Sequence, residues 1–325
     1  MRRIVYIASA PRSGSTLLTH LIASHPDVGT IGERHFFHRL LVPEYQNPEH
    51  IEAIRKGAEI PHGAMCSCGR PFVKCPVWLS ILARVEEGVP ARIRALPYPR
   101  FGAYKNQIAR KVARKILWRQ AETGRMRGLP WPLSQRFRAM LEANNVLIDA
   151  ALAETGGSVF LDNSKTVQEA IYLDHHPENE VRVIHLVRDG RAQMMSRVPA
   201  KKNLTADNCA RQWAETIETS RRVLSAWRGP VLDLRYEDLC NAPDSIMAEV
   251  YAFCDLDSAA TPAEWGSDEQ HVMGNSRMRL SETTKIELRT GWKSKISDDQ
   301  LRTFEQRAGA LNRSLGYSDA VLTSV

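Results

Sequence analysis

Residues 4 to 18 constrain the fold of this chain more than any other segment. Apolar residues fill Ile4–Ala8, which predicts a buried strand, and Pro11 and Gly14 follow as turn formers. Leucine and isoleucine then occupy positions 17, 18, 21 and 22, the spacing of a helix with one inward face. Unpaired amides at the start of such a helix attract anions. The segment therefore predicts a strand, a phosphate-binding loop and a helix within an α/β fold.

The side chains of this loop indicate which phosphate it binds. Donors are present at Arg12, Ser13, Ser15 and Thr16. In the nucleotide P-loop pattern G-x-x-x-x-G-K-[ST], Gly14 and Thr16 fit, whereas Ser15 stands where lysine is required. The missing lysine is the residue that contacts a γ-phosphate. The loop therefore favours a nucleotide phosphate held by amides, hydroxyls and arginine over Mg·ATP.

Length and composition are those of an ordinary globular protein. The chain has 325 residues, of which 43% are hydrophobic and 25% charged, enough for one large domain over 1–325. We expect a helical insertion on the acceptor side at about 43–155. No stretch approaches the roughly 20 apolar residues of a membrane span. Because the first strand starts at residue 3 or 4, it leaves no room for a signal peptide, and we expect a cytoplasmic protein.

Positive charge is concentrated between residues 92 and 138. This segment has thirteen Lys and Arg against one acid, Glu122, in a chain whose net charge is +7. Apolar residues at 104, 108, 112 and 116 predict an amphipathic helix over 104–119. Three interpretations stay open: a solvated helix packed on the core, a cover for an anionic substrate, and peripheral contact with anionic lipid. No nucleic-acid motif accompanies the charge, so we expect no nucleic-acid partner.

Three of the six cysteines lie close together, at Cys66, Cys68 and Cys75, and His62 precedes them. Their C-x-C-x6-C spacing differs from the paired C-x2-4-C knuckles of structural zinc sites. We therefore expect free thiols and no metal, with a zinc site that includes His62 as the alternative. The remaining cysteines have apolar or helical surroundings typical of core residues.

Two further predicted strands end in polar groups. Val28–Ile31 precedes Glu33, a candidate general base, and the reserves beside it are Arg34, His35 and His38. The structural alternative for Glu33 is a surface residue that starts a helix over 34–41. Asp162, Ser164 and Lys165 end the strand that begins at 158, at the same sheet edge as the loop. Lys165 would supply the charge that the loop lacks.

A fourth strand, Val181–Val187, is followed by Arg188 and, eight residues later, Ser196. These two residues are spaced to clasp one phosphate from the strand end and the next helix. Together with the first loop, they predict a nucleotide that carries phosphates at two separate positions.

These motifs resemble those of sulfotransferases that use 3′-phosphoadenosine 5′-phosphosulfate (PAPS). Ala10–Thr16 is similar to the 5′-phosphosulfate loop, Leu186–Ser196 to the 3′-phosphate motif, and Arg235–Leu239 to the adenine-side segment. Leu161–Lys165 and Gly274–Arg277 resemble bacterial members. The match extends from residue 4 to about 295, and an acidic base soon after the loop is typical of the tyrosylprotein and carbohydrate branches.

The resemblance implies a P-loop-like, three-layer α/β fold with a central, mostly parallel sheet and a helical, basic insertion. It implies PAPS as co-substrate, the desulfated nucleotide PAP as product, and no metal requirement. The catalytic residues would be Glu33 as base, with Lys165 and Arg12 stabilising charge. Nucleotide binding is expected from Arg12, Ser13, Gly14, Ser15, Thr16, Leu17, Arg188, Ser196, Tyr236, Asn275, Ser276 and Arg277.

The acceptor and two rival functions stay open at this point. The acceptor is expected to be a hydroxyl of a carbohydrate, a lipid-linked molecule or a small molecule. One rival is a P-loop kinase, which Ser15 disfavours. The other is a polyanion-binding protein that uses the basic segment 92–138.

Overall fold

A five-stranded parallel sheet forms the centre of the molecule. The computed structural model describes residues 1–37, 65–88, 107–198, 204–260, 270–274 and 286–317. The strands are β1 (Arg2–Ser9), β2 (Val28–Gly32), β3 (Val159–Lys165), β4 (Asn179–Val187) and β5 (Val231–Arg235). They lie in the order β2-β3-β1-β4-β5, and every neighbouring pair is parallel. The predicted α/β fold with a parallel sheet is confirmed.

Helices pack on both faces of the sheet, as three layers require. They are α1 (Ser15–Ala23), α2 (Pro76–Gly88), α3 (Gln107–Ala121), α4 (Leu133–Thr155), α5 (Val167–Asp174), α6 (Gly190–Arg197), α7 (Ala206–Ala226), α8 (Tyr236–Asn241), α9 (Pro243–Phe253), α10 (Asp298–Phe304) and α11 (Ala310–Ser314). A π-helical turn, Glu305–Gly309, joins α10 to α11. Short 3-10 turns lie at Arg34–Phe36, Phe72–Lys74 and Ser258–Ala260.

The alternation of side chains along β1 explains the layers. Ile4 and Tyr6 belong to one apolar cluster, which α2, α4 and α5 complete. Val5 and Ile7 belong to a second cluster on the other face, with α1 and α9. Because both faces are covered, the strand is apolar from Ile4 to Ala8, which is why its position could be predicted from sequence.

The basic helix α3 packs on the molecule with a face that the sequence did not predict. Ile108 and Val112, in the predicted apolar stripe, are 71% and 52% exposed, whereas Ala113 and Leu117 are buried. The small side chain of Ala113 brings the helix close to its neighbours, and α3 contacts α5. The predicted stripe is therefore wrong by about one residue in phase. Tyr104 and residues 92–106 lie outside the described residues.

Two other sequence predictions concern the ends of the described ranges. Arg34–Phe36 forms a 3-10 turn at the start of the predicted helix 34–41, and His38 lies outside the described residues. The insertion predicted at about 43–155 and the single domain over 1–325 stay predictions. No helix within the described ranges is long and apolar enough to cross a membrane.

Candidate active site

The polar residues predicted to act together follow the carboxyl ends of adjacent strands. Across this edge, Glu33 follows β2, Lys165 ends β3, the loop 10–14 follows β1, Arg188 follows β4 and Tyr236 follows β5. Neighbouring strands are about 4.8 Å apart. From β1 the chain continues to β2 at one end of the strand order, and from β4 it continues to β5 at the other end. A crevice therefore opens between β1 and β4, and α/β proteins bind their ligands in such crevices. The sheet order thus brings the predicted groups to one crevice.

The loop after β1 has the backbone of an anion-binding turn. Gly14 adopts a left-handed conformation with φ of 92°. A Cβ atom there would lie 2.2 Å from Cδ2 of Tyr236, so the tyrosine ring lies directly against the loop and requires glycine. The Leu18 amide donates to the Gly14 carbonyl at 3.1 Å as the first helical bond of α1. The amides before it have no intrahelical acceptor.

Helix α1 places the predicted phosphate contacts in its first turn. Ser15, Thr16 and Leu17 are its first three residues. The Leu17 side chain is only 3% exposed and packs in the core, so its contribution to a phosphate site is limited to its amide.

Three hydrogen bonds join this loop to α6 and to Arg188, which precedes that helix. Arg12 Nε donates to Ser196 Oγ at 3.1 Å, and Arg188 NH1 donates to the Arg12 carbonyl at 3.1 Å. Gln193, which the sequence analysis did not identify, donates from Nε2 to the Pro11 carbonyl at 2.7 Å. The two motifs predicted to bind separate phosphates are therefore in direct contact.

The crevice is strongly cationic. Burial and the neighbouring guanidinium groups of Arg188 and Arg289 lower the pKa of Arg12. The Arg188 guanidinium also lies over the Tyr236 ring, with Cζ 4.4 Å from the ring centroid. Arg289 lies in an irregular segment without a recognisable motif, so sequence reasoning missed it. Like charges held this close together are stabilised by an anion.

Two buried polar atoms in the crevice are also placed to bind an anion. Within the described part of the chain, the hydroxyl of Ser13 and Nε of Arg188 are buried without a hydrogen-bond partner. A buried donor that lacks a partner is costly. Phosphate oxygens at this loop would accept from both groups, so the residues present fit a nucleotide phosphate.

Glu33 is buried beside Lys165 rather than exposed at the surface. Its side chain accepts from Lys165 Nζ at 2.7 Å, and His35 Nε2 lies 3.8 Å from its other oxygen. The Glu33 amide donates to the Met273 carbonyl at 3.0 Å, which fixes the backbone. Glu33 is 7% exposed, so the alternative of a surface residue is wrong.

Both predicted catalytic cations have unusual backbone conformations. Arg12 has φ of 71° and Lys165 has φ of 72°, and among the described non-glycine residues only Asp255 shares the left-handed region. The β1–β3 register shifts between Tyr6 and Ala8, so that Ala8 lies opposite Lys165. Left-handed residues cost on the order of 1 kcal/mol and concentrate at functional sites. The irregular end of β3 directs Lys165 toward Glu33.

Arg34, a reserve candidate in the sequence analysis, has a structural role instead. Its guanidinium is buried and donates to Asp162 at 2.7 Å, to Glu169 at 3.1 Å and to the side chain of Asn144. These partners hold all three guanidinium nitrogens of Arg34 inside the protein, where its side chain is only 2% exposed. Asp162 also accepts from the Ser164 amide at 2.9 Å, so the network supports the backbone just before Lys165.

This network predicts a pH-dependent stability. Burial raises the pKa of Glu169 to about 7, although Arg34 opposes the shift. The folded chain therefore holds a proton on Glu169 where the unfolded chain has lost it, so the free energy of unfolding falls as the pH rises from about 4.5 to 7. In Glu169→Gln, the fall in the free energy of unfolding over this pH range should be smaller by about 3 kcal/mol. Urea unfolding at pH 5 and pH 8 measures it, and parallel pH profiles of the two proteins would contradict it.

A cleft beside Arg188 extends the site toward the carboxyl-terminal part. Its lining combines the rings of Trp292 and Tyr317 and the cations of Arg191, Arg235, Arg289 and Lys293 with the carboxylates of Asp189 and Glu237. Arg191 lies with Cζ 5.7 Å from the Trp292 ring centroid, and Arg235 lies 4.5 Å from that of Tyr317. Flat rings next to guanidinium groups suit a purine base with an attached phosphate. The predicted contacts Asn275, Ser276 and Arg277 lie outside the described residues.

A protein-family model matches the part of the chain that contains the carboxyl ends of β3, β4 and β5. Residues 138–260 match the model of the sulfotransferase family. The match includes Lys165, Arg188, Ser196 and Tyr236, whereas the loop after β1 and Glu33 precede it.

The individual proteins that the chain resembles include one curated sulfotransferase. Carbohydrate sulfotransferase 5 of Mus musculus is 27% identical over 168 residues, which cover 43% of this chain and 42% of the relative. The chain thus spans less than half of that protein. Among solved structures, the sulfotransferase domain of a Synechococcus olefin synthase has a TM-score of 0.46 and 17% identity, covering 95% of this chain and 96% of that domain. The sulfotransferase domain of the curacin biosynthetic pathway has a TM-score of 0.46 and 14% identity over 96% of this chain and 98% of its own. The family model and the curated relative confirm the predicted resemblance to the sulfotransferase family.

Proposed function

We propose that this protein transfers the sulfuryl group of PAPS to a hydroxyl of an acceptor. The family match supports sulfuryl transfer as the reaction class. One observation carries the finer proposal: a buried carboxylate, a lysine 2.7 Å from it and a cationic phosphate loop follow three adjacent strands. Glu33, Lys165 and Arg12 therefore lie in the order in which an acceptor, a transferred group and a leaving phosphate would be arranged.

The residues fit a nucleotide with two separate phosphates. The amides and hydroxyls of Ser13, Ser15 and Thr16 would hold the 5′-phosphate, and Arg188 with Ser196 would hold the 3′-phosphate. Bound PAPS supplies an activated sulfuryl group and leaves as PAP. The cleft that contains Trp292 would take the adenine. ATP lacks the 3′-phosphate, so Arg188 would select against it.

The chain's own groups provide acid–base and electrostatic catalysis. Glu33 accepts the proton of the acceptor hydroxyl on its carboxylate, and His35 is the neighbouring group that could replace it. Lys165 lies between Glu33 and the loop after β1, and it orients the Glu33 carboxylate. Lys165 and Arg12 place positive charge where charge develops in a loose, in-line transfer, the role that Mg²⁺ has in kinases.

The first acceptors to test are anionic carbohydrates. The curated relative is a carbohydrate sulfotransferase by name, and the exposed face of α3 offers positive charge beside the helix that follows Lys165. The basic residues of that face include Lys111, Arg114, Lys115 and Arg119. An anionic acceptor would be attracted to this surface. Peripheral membrane contact by the same helix, and the absence of a nucleic-acid partner, stay predictions.

Formation of PAP from PAPS tests the proposed function. The purified protein is incubated with PAPS, without added Mg²⁺, in the presence of sulfated and unsulfated oligosaccharides, lipid-linked sugars and phenols. We expect PAP to form faster with one acceptor class than with water, together with a product heavier by one sulfate. Phosphate transfer from Mg·ATP, with no PAP formed from PAPS, would instead support the kinase.

A further inference from the structure

The loop at Cys66–Cys75 lies against a histidine from a distant part of the chain. The sulfur atoms of Cys66, Cys68 and Cys75 and a ring nitrogen of His271 all lie within 4.8 Å of one another. His271 follows Cys66 by 205 positions in the sequence. It occupies the place of the fourth ligand that the sequence analysis could suggest only as His62, which is outside the described residues.

The separations of these atoms match tetrahedral zinc. Zinc holds sulfur at about 2.3 Å and nitrogen at about 2.0 Å, so tetrahedral geometry puts two sulfur ligands about 3.8 Å apart and sulfur and nitrogen about 3.5 Å apart. Cys68 Sγ lies 3.7 Å from Cys75 Sγ, a distance that is not a disulfide. His271 Nδ1 lies 3.5 Å from Cys66 Sγ and 3.3 Å from Cys75 Sγ.

The backbone around the cysteines holds them in place before any metal binds. The Cys66 amide donates to the Arg70 carbonyl at 2.8 Å, and the Gly69 amide donates back to the Cys66 carbonyl at 3.1 Å. Gly69 has φ of 78°, so the turn after Cys68 requires a residue that tolerates the left-handed region. Cys75 lies immediately before α2, and its carbonyl accepts from the Leu79 amide at 3.0 Å. The loop therefore resembles a short metal-binding knuckle in its compactness.

Residues 270–274, the segment that contains His271, are tied to the same loop and to the active site. Ser67 accepts from the Val272 amide at 2.9 Å and donates to the Gln270 carbonyl. Two residues beyond His271, Met273 donates from its amide to the Ile31 carbonyl at 2.9 Å and accepts from the Glu33 amide. A Cβ atom on Gly274 would lie 2.7 Å from Glu33 Oε1. The cluster therefore fixes the segment that lies directly against the candidate base.

We propose that Cys66, Cys68, Cys75 and His271 bind one structural zinc ion, which fastens the 270–274 segment beside Glu33. Four protein ligands close the coordination sphere, as in structural rather than catalytic zinc sites. Zinc displaces the thiol protons when it binds, so the ion is held by three thiolates and a neutral imidazole. Its role toward Glu33 is positioning, because it acts through the backbone of residues 270–274, where the Met273 carbonyl accepts from the Glu33 amide. The site is independent of the nucleotide and the acceptor.

Metal analysis of the wild-type chain is the first test, because it needs no variant. Protein purified without chelator from zinc-supplemented culture should contain one zinc per chain, and native mass spectrometry should show one metal-bound species. Replacement by Co²⁺ should give the visible bands of tetrahedral cobalt and the near-ultraviolet absorption of thiolate-to-cobalt charge transfer. Removal of the metal should lower Tm by about 5 to 10 °C.

Variants then identify the ligands. Cys68→Ser and His271→Ala should each lose the zinc or weaken its binding by at least about a hundredfold, while Cys240→Ser, a cysteine outside the cluster, keeps one zinc per chain. If a variant does not fold, protection of the wild-type cysteines against alkylation, with and without chelator, gives the same information. Zinc-free protein, iron in place of zinc, a Cys68–Cys75 disulfide, or unchanged cobalt spectra in both variants would overturn the proposal.

Discussion

Glu33→Gln is expected to lower kcat by about 10²- to 10⁴-fold, the usual contribution of a general base. Glutamine has the same shape as glutamate and still accepts a hydrogen bond from Lys165, which lies 2.7 Å from Glu33. It cannot take the proton of the acceptor hydroxyl. Because Glu33 lies two strands away from the phosphate loop, PAP affinity should change less than threefold. Kinetic assays and PAP titration on the same preparations measure the two effects separately.

The matched control for this variant is Glu305→Gln, which removes a carboxylate that pairs with Arg313 on the carboxyl-terminal helix. Its turnover should equal that of the wild-type chain. Equal losses of kcat and PAP affinity in Glu33→Gln would contradict the role of Glu33 as a base, because they would indicate damage to the whole site. Unchanged turnover would transfer that role to His35, whose Nε2 lies 3.8 Å from Glu33. The zinc content of Glu33→Gln should equal that of the wild-type chain. A loss of turnover in this variant is then not caused by loss of the proposed zinc ion.

Arg188→Ala is expected to weaken PAP binding by about 10- to 150-fold, the value of a charged hydrogen bond of about 1.5 to 3 kcal/mol. Arg188 bonds the Arg12 carbonyl, lies over the Tyr236 ring and has a buried Nε without a partner in the described chain. ADP lacks the 3′-phosphate. If Arg188 holds that group, the affinity of the variant for ADP should therefore fall by less than threefold. The ratio of the two affinities is therefore a direct measure of 3′-phosphate recognition.

The control for this variant is Arg211→Ala, an exposed arginine on α7 that bonds Asn208 at 2.9 Å. Its affinity for both nucleotides should be unchanged. A parallel loss of PAP and ADP affinity in Arg188→Ala would show that Arg188 supports the loop after β1 rather than binding a phosphate. In that case, Arg289 would be the next candidate for the 3′-phosphate, because its charge also acts on Arg12.

The parts of the site that follow buried parallel strands could be predicted from sequence. Such strands are continuous apolar runs, and the residue after each run lies at the ligand-binding edge. This reasoning placed Glu33, Lys165 and Arg188 at one edge, and the described structure has them there. The first loop was predictable from its own residues, since Pro11 and Gly14 indicate a turn between the strand and the helix.

Contacts between distant segments could not be predicted. No spacing rule connects His271 to cysteines 196 and 205 positions earlier. Periodicity also misjudged α3, where Ile108 and Val112 indicated an inward face, while Ala113 and Leu117 form it. Arg34 could not be distinguished from a substrate-binding arginine, because only the fold shows its partners Asp162 and Glu169.

Calorimetric titration of the wild-type chain with PAP, beside ADP and Mg·ATP, tests the central claim most directly. The claim is that the crevice between β1 and β4 binds a nucleotide with phosphates at its 3′ and 5′ positions without Mg²⁺. We expect PAP to bind at least tenfold more tightly than ADP or Mg·ATP, with the same affinity in buffers with and without Mg²⁺. Absence of PAP binding, or tighter binding of Mg·ATP than of PAP, would contradict the claim.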